Sequence, residues 1–193
     1  MHINLDGVEI VCAGLPRSGS TLLYRALAGL PPGSTTPKPQ TGLVRKTHTS
    51  RPELFNSVRV GVFIFGDPVD AVISTRMRRW DQQHFINCEA PEECSPENSD
   101  IFCEDILNYE RMFDSWMQRQ SFDLAAVRYE TLYQHAPALS KFLGVTIDLP
   151  EWKQRTDYSN EVSLGDRAVI SRTYERLARK IAAAPNLSFW NAR

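Results

Sequence analysis

The sequence predicts an α/β fold, a central parallel sheet flanked by helices. Three observations lead there. Glu9 to Gly14 is a short apolar run ending in glycine, directly before a segment with helical spacing. Val58 to Phe65, VRVGVFIF, is apolar nearly throughout, as a strand covered on both faces must be. Strand-like and helix-like segments then alternate along the chain, which implies a parallel sheet wrapped by helices. At 193 residues the chain is sized for one domain, 1–193, with one sizeable core.

The elements follow in order. After the strand Glu9–Gly14, residues Ser20 to Leu30 carry Leu22, Leu23, Ala26, Leu27 and Leu30 on one helical face. The stretch PPGSTTPKPQTG is too rich in proline and glycine for either element, and LVRK after it reads as a short strand. Beyond VRVGVFIF, Asp67 and Pro68 open a helix as N-cap and first-turn proline, with Val69, Val72, Ile73, Met77 and Trp80 as its buried face. Asp81 to Asp105 then holds eight acidic residues and no lysine or arginine, and Pro91 and Pro96 forbid a long helix. That composition predicts an exposed insertion, with 81–100 a lid or binding-loop candidate. A helix resumes near Asp100, with Phe102, Ile106, Tyr109, Phe113 and Trp116 on one side. FDLAAVRY is the next strand, and YQHAPALSKFLG a helix closed by Gly144. The last helix runs from about Gly165 to Ala184 and buries Ile170, Tyr174, Leu177 and Ile181.

Composition removes several classes of partner. The chain is 42% hydrophobic and 23% charged, with a net charge of −1. A near-neutral chain gives no reason to expect nucleic acid or a membrane surface. No apolar run approaches the roughly 18 residues that span a bilayer, and MHINLDGVEIV is neither basic enough nor long enough in its apolar part for a signal peptide. Cys12, Cys88, Cys94 and Cys103 have no zinc-site spacing. They are expected to be reduced thiols in a cytoplasmic protein, a Cys88–Cys94 bridge being the alternative.

The chemistry concentrates in CAGLPRSGSTLL. Gly14 and Gly19 have the spacing of a phosphate-binding loop, and the loop lies between a strand and a helix. Backbone N–H groups at a helix start bind an anion, and glycine lets the anion approach. The lysine that a nucleoside-triphosphate loop carries after its second glycine is replaced by Ser20, and the nearest cation is Arg17, inside the loop. GLPRSGSTLLYRAL resembles the 5′-phosphosulfate-binding loop of sulfotransferases that use 3′-phosphoadenosine 5′-phosphosulfate (PAPS). Pro16, Arg17, Ser18, Gly19, Ser20 and Thr21 match that loop position by position. VRKTHTSRPELF resembles the family's Lys-Thr-His segment. The resemblance implies that His48 is the general base and that Lys46 and Arg17 stabilise the transferring group. Residues two apart in extended chain point the same way, so Lys46 and His48 can face one site.

VGVFIFGDPVDAVISTRMRRW resembles the segment that holds the donor's 3′-phosphate. Asp67, Pro68, Asp70 and Ser74 fit; Gly66 stands where the family has an arginine. Ser74 is then implied as a 3′-phosphate contact, with Arg76 the leading substitute for the arginine and Arg78 and Arg79 behind it. VRYETLYQHAPALSKFLGV is similar to the family's Tyr-Glu-Asp-Leu segment, which implies Tyr129 near the adenine. The C-terminal SLGDRAVISR offers only Arg167 and Arg172 in place of a capping Arg-Lys-Gly turn. The likeness covers about Val8 to Val145.

The resemblance implies an α/β sulfotransferase. It would move a sulfuryl group in line from PAPS to a hydroxyl, or less favourably an amine, on a small molecule or glycan. The product nucleotide would be adenosine 3′,5′-bisphosphate (PAP), and no metal is required. Main-chain N–H groups from Arg17 to Thr21 would cradle the 5′-phosphate. Two other readings stand beside it. VGVFIFGD also resembles the strand of a P-loop nucleotide or small-molecule kinase, with Asp67 as the magnesium-side carboxylate. Gly66 leaves room for a non-catalytic binder that kept the fold.

Overall fold

The computed structural model describes residues 5–30, 43–154 and 156–193. The proline-rich stretch 31–42, expected as irregular chain, lies outside them. The architecture is the expected one. Five strands form one sheet in the order β2-β1-β3-β4-β5. They are β1 Ile10–Gly14, β2 Val44–Thr47, β3 Val60–Phe65, β4 Asp123–Arg128 and β5 Leu187–Trp190. The first four are parallel, and β5 adds to β4 antiparallel. Among the described residues the α-helices are α1 Ser20–Leu27, α2 Pro68–Met77, α3 Asp81–Asn87, α4 Tyr109–Trp116, α5 Leu132–Leu143, α6 Leu164–Thr173 and α7 Glu175–Ala183.

Alternation along the central strands divides the core in two. Val11, Ala13, Phe63, Phe65, Leu124 and Ala126 face one side and pack with α2, α4, α6 and α7. Ile10, Cys12, Val60, Val62, Ile64, Ala125 and Val127 face the other and pack with α1 and α5. The first side is strongly aromatic. Trp116 stacks on Phe63 at 5.9 Å between ring centroids, and Phe113 meets Phe65 edge-on at 5.4 Å. The Trp116 indole also donates to the Thr49 carbonyl at 2.8 Å. That bond fastens the segment just after β2 to the aromatic core.

Several boundaries depart from the sequence reading, each for a local reason. The first helix stops at Leu27 rather than Leu30, because Gly29 turns to φ +63° and the Leu30 amide bonds back to the Arg25 carbonyl. The second ends the same way with an arginine in glycine's place. Arg79 has φ +55°, and the Trp80 amide returns to the Thr75 carbonyl at 3.1 Å. This turn throws Trp80 outward, so it is about half exposed rather than part of the buried face. The sequence predicts a third helix from near Asp100, whereas α4 begins only at Tyr109. The Asp105 carboxylate accepts from the Tyr109 and Glu110 amides, both at 2.9 Å, and so caps the helix there. All five apolar side chains assigned to that face are nonetheless buried.

The acidic segment is anchored at its ends and exposed between them. It opens with α3, where Asp81, His84, Phe85 and Cys88 are buried; 91–93 and 96–98 are exposed, and Ile101 and Phe102 are buried again. Arg76 makes this possible. Its guanidinium pairs with Asp81 at 2.7 Å and Asp100 at 2.9 Å, and lies over the Phe102 ring. The long C-terminal helix is likewise two helices, broken at Tyr174, whose hydroxyl donates to the Ile101 carbonyl at 2.9 Å. The four cysteines are free, so the Cys88–Cys94 bridge is not formed. Among the described residues no helix is long and apolar enough to cross a membrane.

Trp116 offers a direct test of this packing. Trp116→Ala should cost ~3–5 kcal/mol, as large core truncations do. Trp116→Phe keeps a ring but orphans the Thr49 carbonyl and should cost ~1–3 kcal/mol. Urea unfolding measures both; a wild-type midpoint for Trp116→Ala would contradict the role given to the indole.

Candidate functional site

The parallel strands all end on one edge, and the chemistry-bearing residues follow those ends. The anion loop follows β1, His48 follows β2, Gly66 and Asp67 follow β3, and Tyr129 follows β4. In an order of 2-1-3-4-5 the chain switches direction beside β1, and ligands of such sheets bind in the crevice there.

The loop is tightly closed by its two glycines. A Cβ at Gly14 would lie 2.6 Å from the Ile64 side chain and 2.7 Å from its carbonyl oxygen. Gly19 has φ +83°, and a Cβ there would fall 2.2 Å from the Tyr129 ring. Arg17 is itself left-handed, at φ +63°, a strained backbone for a side chain of its kind. Its Nε donates to Ser74 Oγ at 3.1 Å, and its guanidinium lies 5.6 Å from the Trp80 ring centre. The first turn of α1 supplies amides that no helix can satisfy internally. Ser18 departs from the expected cradle. Its amide donates to the Leu15 carbonyl at 3.1 Å, while its buried hydroxyl has no partner among the described residues.

Two basic side chains behind the loop differ in kind. Lys46 Nζ donates to Thr21 Oγ1 at 2.8 Å, and burial holds its ammonium below the ordinary lysine value. His48 is buried, and its Nδ1 lies 2.5 Å from the Gly14 carbonyl oxygen. A carbonyl can only accept, so Nδ1 carries the proton and Nε2 keeps its lone pair in the neutral ring. Burial above all, then the Lys46 charge, hold His48 well below the usual imidazole range. The ring is therefore a neutral base at pH 7, although a weak one.

The structure brings these groups together. Arg17, Gly19, Ser20, Thr21, Lys46 and His48 line one polar pocket of about 150 Å³, with Tyr129, Trp80 and His84 as its other walls. A larger cleft of about 760 Å³ adjoins it. Thr21 and Tyr129 border both, and Tyr133, Trp152, Leu149 and Arg25 line the cleft further out.

Other expected residues are placed elsewhere. Arg76 is held by Asp81 and Asp100 and lines neither pocket, so it does not replace the missing arginine. Ser74 is buried, and its hydroxyl is engaged by Arg17. Arg78 lies over the Tyr158 ring, while Arg167 and Arg172 sit on α6. Beside Gly66 stands a carboxylate. A Cβ there would be 3.0 Å from Glu130 Oε1. Asp67, the magnesium-side candidate of the kinase reading, caps α2 by accepting from the Asp70 amide at 3.0 Å.

Two site residues were missed. His84 and Trp80 were assigned to an insertion and to a core face. Their spacing of four, with an aspartate between them in a first helical turn, was the available signal. His84 is buried, neither ring nitrogen has a hydrogen-bond partner among the described residues, and burial pushes its pKa down to about 4. An orphaned buried polar group of this kind costs ~1–3 kcal/mol. No protein-family model matches the chain, and no curated protein matches it significantly.

The two histidines make stability depend on pH. Unfolded histidine titrates near pH 6.5, and the folded rings resist protonation, so the unfolded state binds more protons as pH falls. Stability present at pH 7.5 is lost below about pH 6.5, and His84 alone should account for ~2 kcal/mol by pH 5. His84→Phe should flatten that part of the profile in urea unfolding. An equally steep profile in the variant would show that His84 titrates normally in the folded chain.

Proposed function

We propose that the protein is a PAPS-dependent sulfotransferase acting on a hydroxyl. The carrying observation is the junction of two cavities at Thr21 and Tyr129. One is small, polar and cationic, and it contains a neutral base. The other is wide and aromatic, within the usual size range of small-molecule sites. A nucleotide with an anionic, transferable end matches that pair, with its base against Tyr129, Tyr133 and Trp152 and its 5′-phosphate at Gly19–Thr21.

The step balances without a metal. The acceptor oxygen attacks sulfur as its proton passes to His48 Nε2. The bond from sulfur to the bridging oxygen breaks, and its electron pair leaves on the 5′-phosphate of PAP. Arg17 and Lys46 offset the charge growing on that oxygen. The sulfuryl group carries less charge than a terminal phosphate, which fits a loop whose cation lies at Arg17 rather than after Gly19. The four free cysteines fit the reducing, cytoplasmic setting implied by the sequence. The kinase reading has less support, because Asp67 is engaged in capping and Ser20 holds the lysine position.

Two substitutions test the roles. His48→Ala should lower turnover about 10²-fold or more and leave PAP affinity nearly unchanged. Arg17→Ala should lose ~3 kcal/mol of transition-state stabilisation, the scale of one oxyanion donor. Both are read by release of PAP from PAPS with a panel of hydroxyl acceptors, with PAP-dependent thermal shifts as the check on binding. Full turnover in His48→Ala would remove the base assignment. ATP- and magnesium-dependent transfer with no response to PAP would favour the kinase reading.

A further inference from the structure

The wide cleft holds a cation whose charge is not spent inside the protein. Arg25 lies in the last turn of α1, four residues beyond Thr21, and lines the cleft from that side. The residue is half-buried, and its Nε is buried with no hydrogen-bond partner among the described residues. A buried N–H on a charged group is costly to leave unpaired, so an orphan beside a cavity points to a ligand group. The other charged residues lining the cleft, Asp148, Glu151 and Lys153, are exposed. The end of β3, where Gly66 stands, has the opposite character. Glu130 Oε1 lies 3.0 Å from where a Gly66 Cβ would be, and α2 opens there with Asp67 and Asp70. Arg76, on the same helix, is tied to Asp81 and Asp100. A phosphate at that edge would face carboxylates.

We propose that Arg25 reads a phosphate on the ribose of the bound nucleotide, from the α1 side of the cleft, and that the end of β3 does not. The proposal rests on the nucleotide reading of the cleft. Residues four apart share a helix face, so Thr21 and Arg25 look the same way. With the 5′-phosphate at Gly19–Thr21, Arg25 stands one turn further along, ~5.4 Å. That span is comparable with the one between the 5′-phosphate and a second phosphate on the same ribose. Burial first, then the Arg17 and Arg25 charges, lower the Lys46 ammonium, so Arg25 stands within electrostatic reach of the loop's own cations. A guanidinium offers paired N–H groups to one phosphate, a fork that an ammonium lacks. One short helix then carries both anion sites, main-chain amides at its start and a guanidinium in its last turn. A nucleotide with only a 5′-phosphate leaves Arg25 unpaired and binds less tightly.

Isothermal titration calorimetry with PAP, adenosine 2′,5′-bisphosphate and 5′-AMP tests the placement. Wild type should bind PAP about 10-fold to 100-fold more tightly than 5′-AMP, the effect of hydrogen bonds to a charged group. Arg25→Ala should lose that preference and keep its affinity for 5′-AMP, which also shows that the variant is folded. Arg25→Lys, a point charge without the fork, should recover only part of it. Glu130→Gln should leave PAP affinity nearly unchanged, whereas a phosphate held at the end of β3 would gain from losing that carboxylate. Equal wild-type affinities for PAP and 5′-AMP, a preference that survives in Arg25→Ala, or a clear gain in Glu130→Gln would each overturn the placement. None of the three bears on sulfuryl transfer, which turnover of PAPS reads separately. A preference for the 2′ isomer that Arg25→Ala abolishes would keep Arg25 in this role and remove PAPS as the donor. Failure of wild type to bind any of the three nucleotides would remove the nucleotide reading, and the role of Arg25 with it.

Discussion

One hydrogen bond organises the site, from His48 Nδ1 to the Gly14 carbonyl. It joins the end of β1 to the segment after β2, two strands that are already paired in register from Ile10 to Ala13. It also sets the tautomer, and so decides which nitrogen keeps its lone pair. The carbonyl is available because the chain turns at Gly14, where any side chain would strike Ile64. Thr49, the next residue along, is held by Trp116. The position of the His48 ring is therefore determined by the sheet and the aromatic core, and owes little to the flexibility of a loop.

The same burial that orients His48 weakens it. Two imidazoles, a lysine and an arginine share a small volume, and each cation discourages the protonation of its neighbours. The pocket thus holds its positive charge on Arg17 and Lys46 and keeps both histidines neutral. Such a division suits a site where an anion must be held while a proton is accepted from another direction. The thiol of Cys12, directly behind Lys46 in the sheet, takes no part in this charge pattern, because burial pushes its pKa up to about 12.

The fold was legible because its signals are local and strong. The strands β1 and β3 are apolar throughout, Pro68 follows an N-cap aspartate, and Gly144 closes α5, and each agrees with the tertiary structure around it. The loop was legible through the spacing of its glycines, and Lys46 and His48 through the likeness of VRKTHTSRPELF to a Lys-Thr-His segment. What the sequence hid depends on distant partners. Arg76 looked available for a ligand, and only the folded chain reveals Asp100, 24 residues away, against it. The acidic segment reads as exposed because it carries eight acidic residues and no lysine or arginine; its middle is exposed, while Phe85, Ile101 and Phe102 bury its ends. The β5 strand was missed because four residues give too short a pattern, and its pairing with β4 provides most of the evidence for it.

Gly66 carries a consequence for how this chain can vary. The space where a side chain would emerge is occupied on one side by the Glu130 carboxylate and on another by Tyr129. The Asp67 amide also lies 3.4 Å from that carboxylate. An arginine introduced at 66 would meet Glu130 first and form an internal ion pair, leaving little of its charge for a ligand. Positions 66 and 130 are thus energetically coupled, and substitutions at the two will not add. A glycine here permits a carboxylate at 130, and a carboxylate at 130 makes an arginine at 66 ineffective on its own. Changes in the ligand preference of this edge of the sheet would have to arise in pairs.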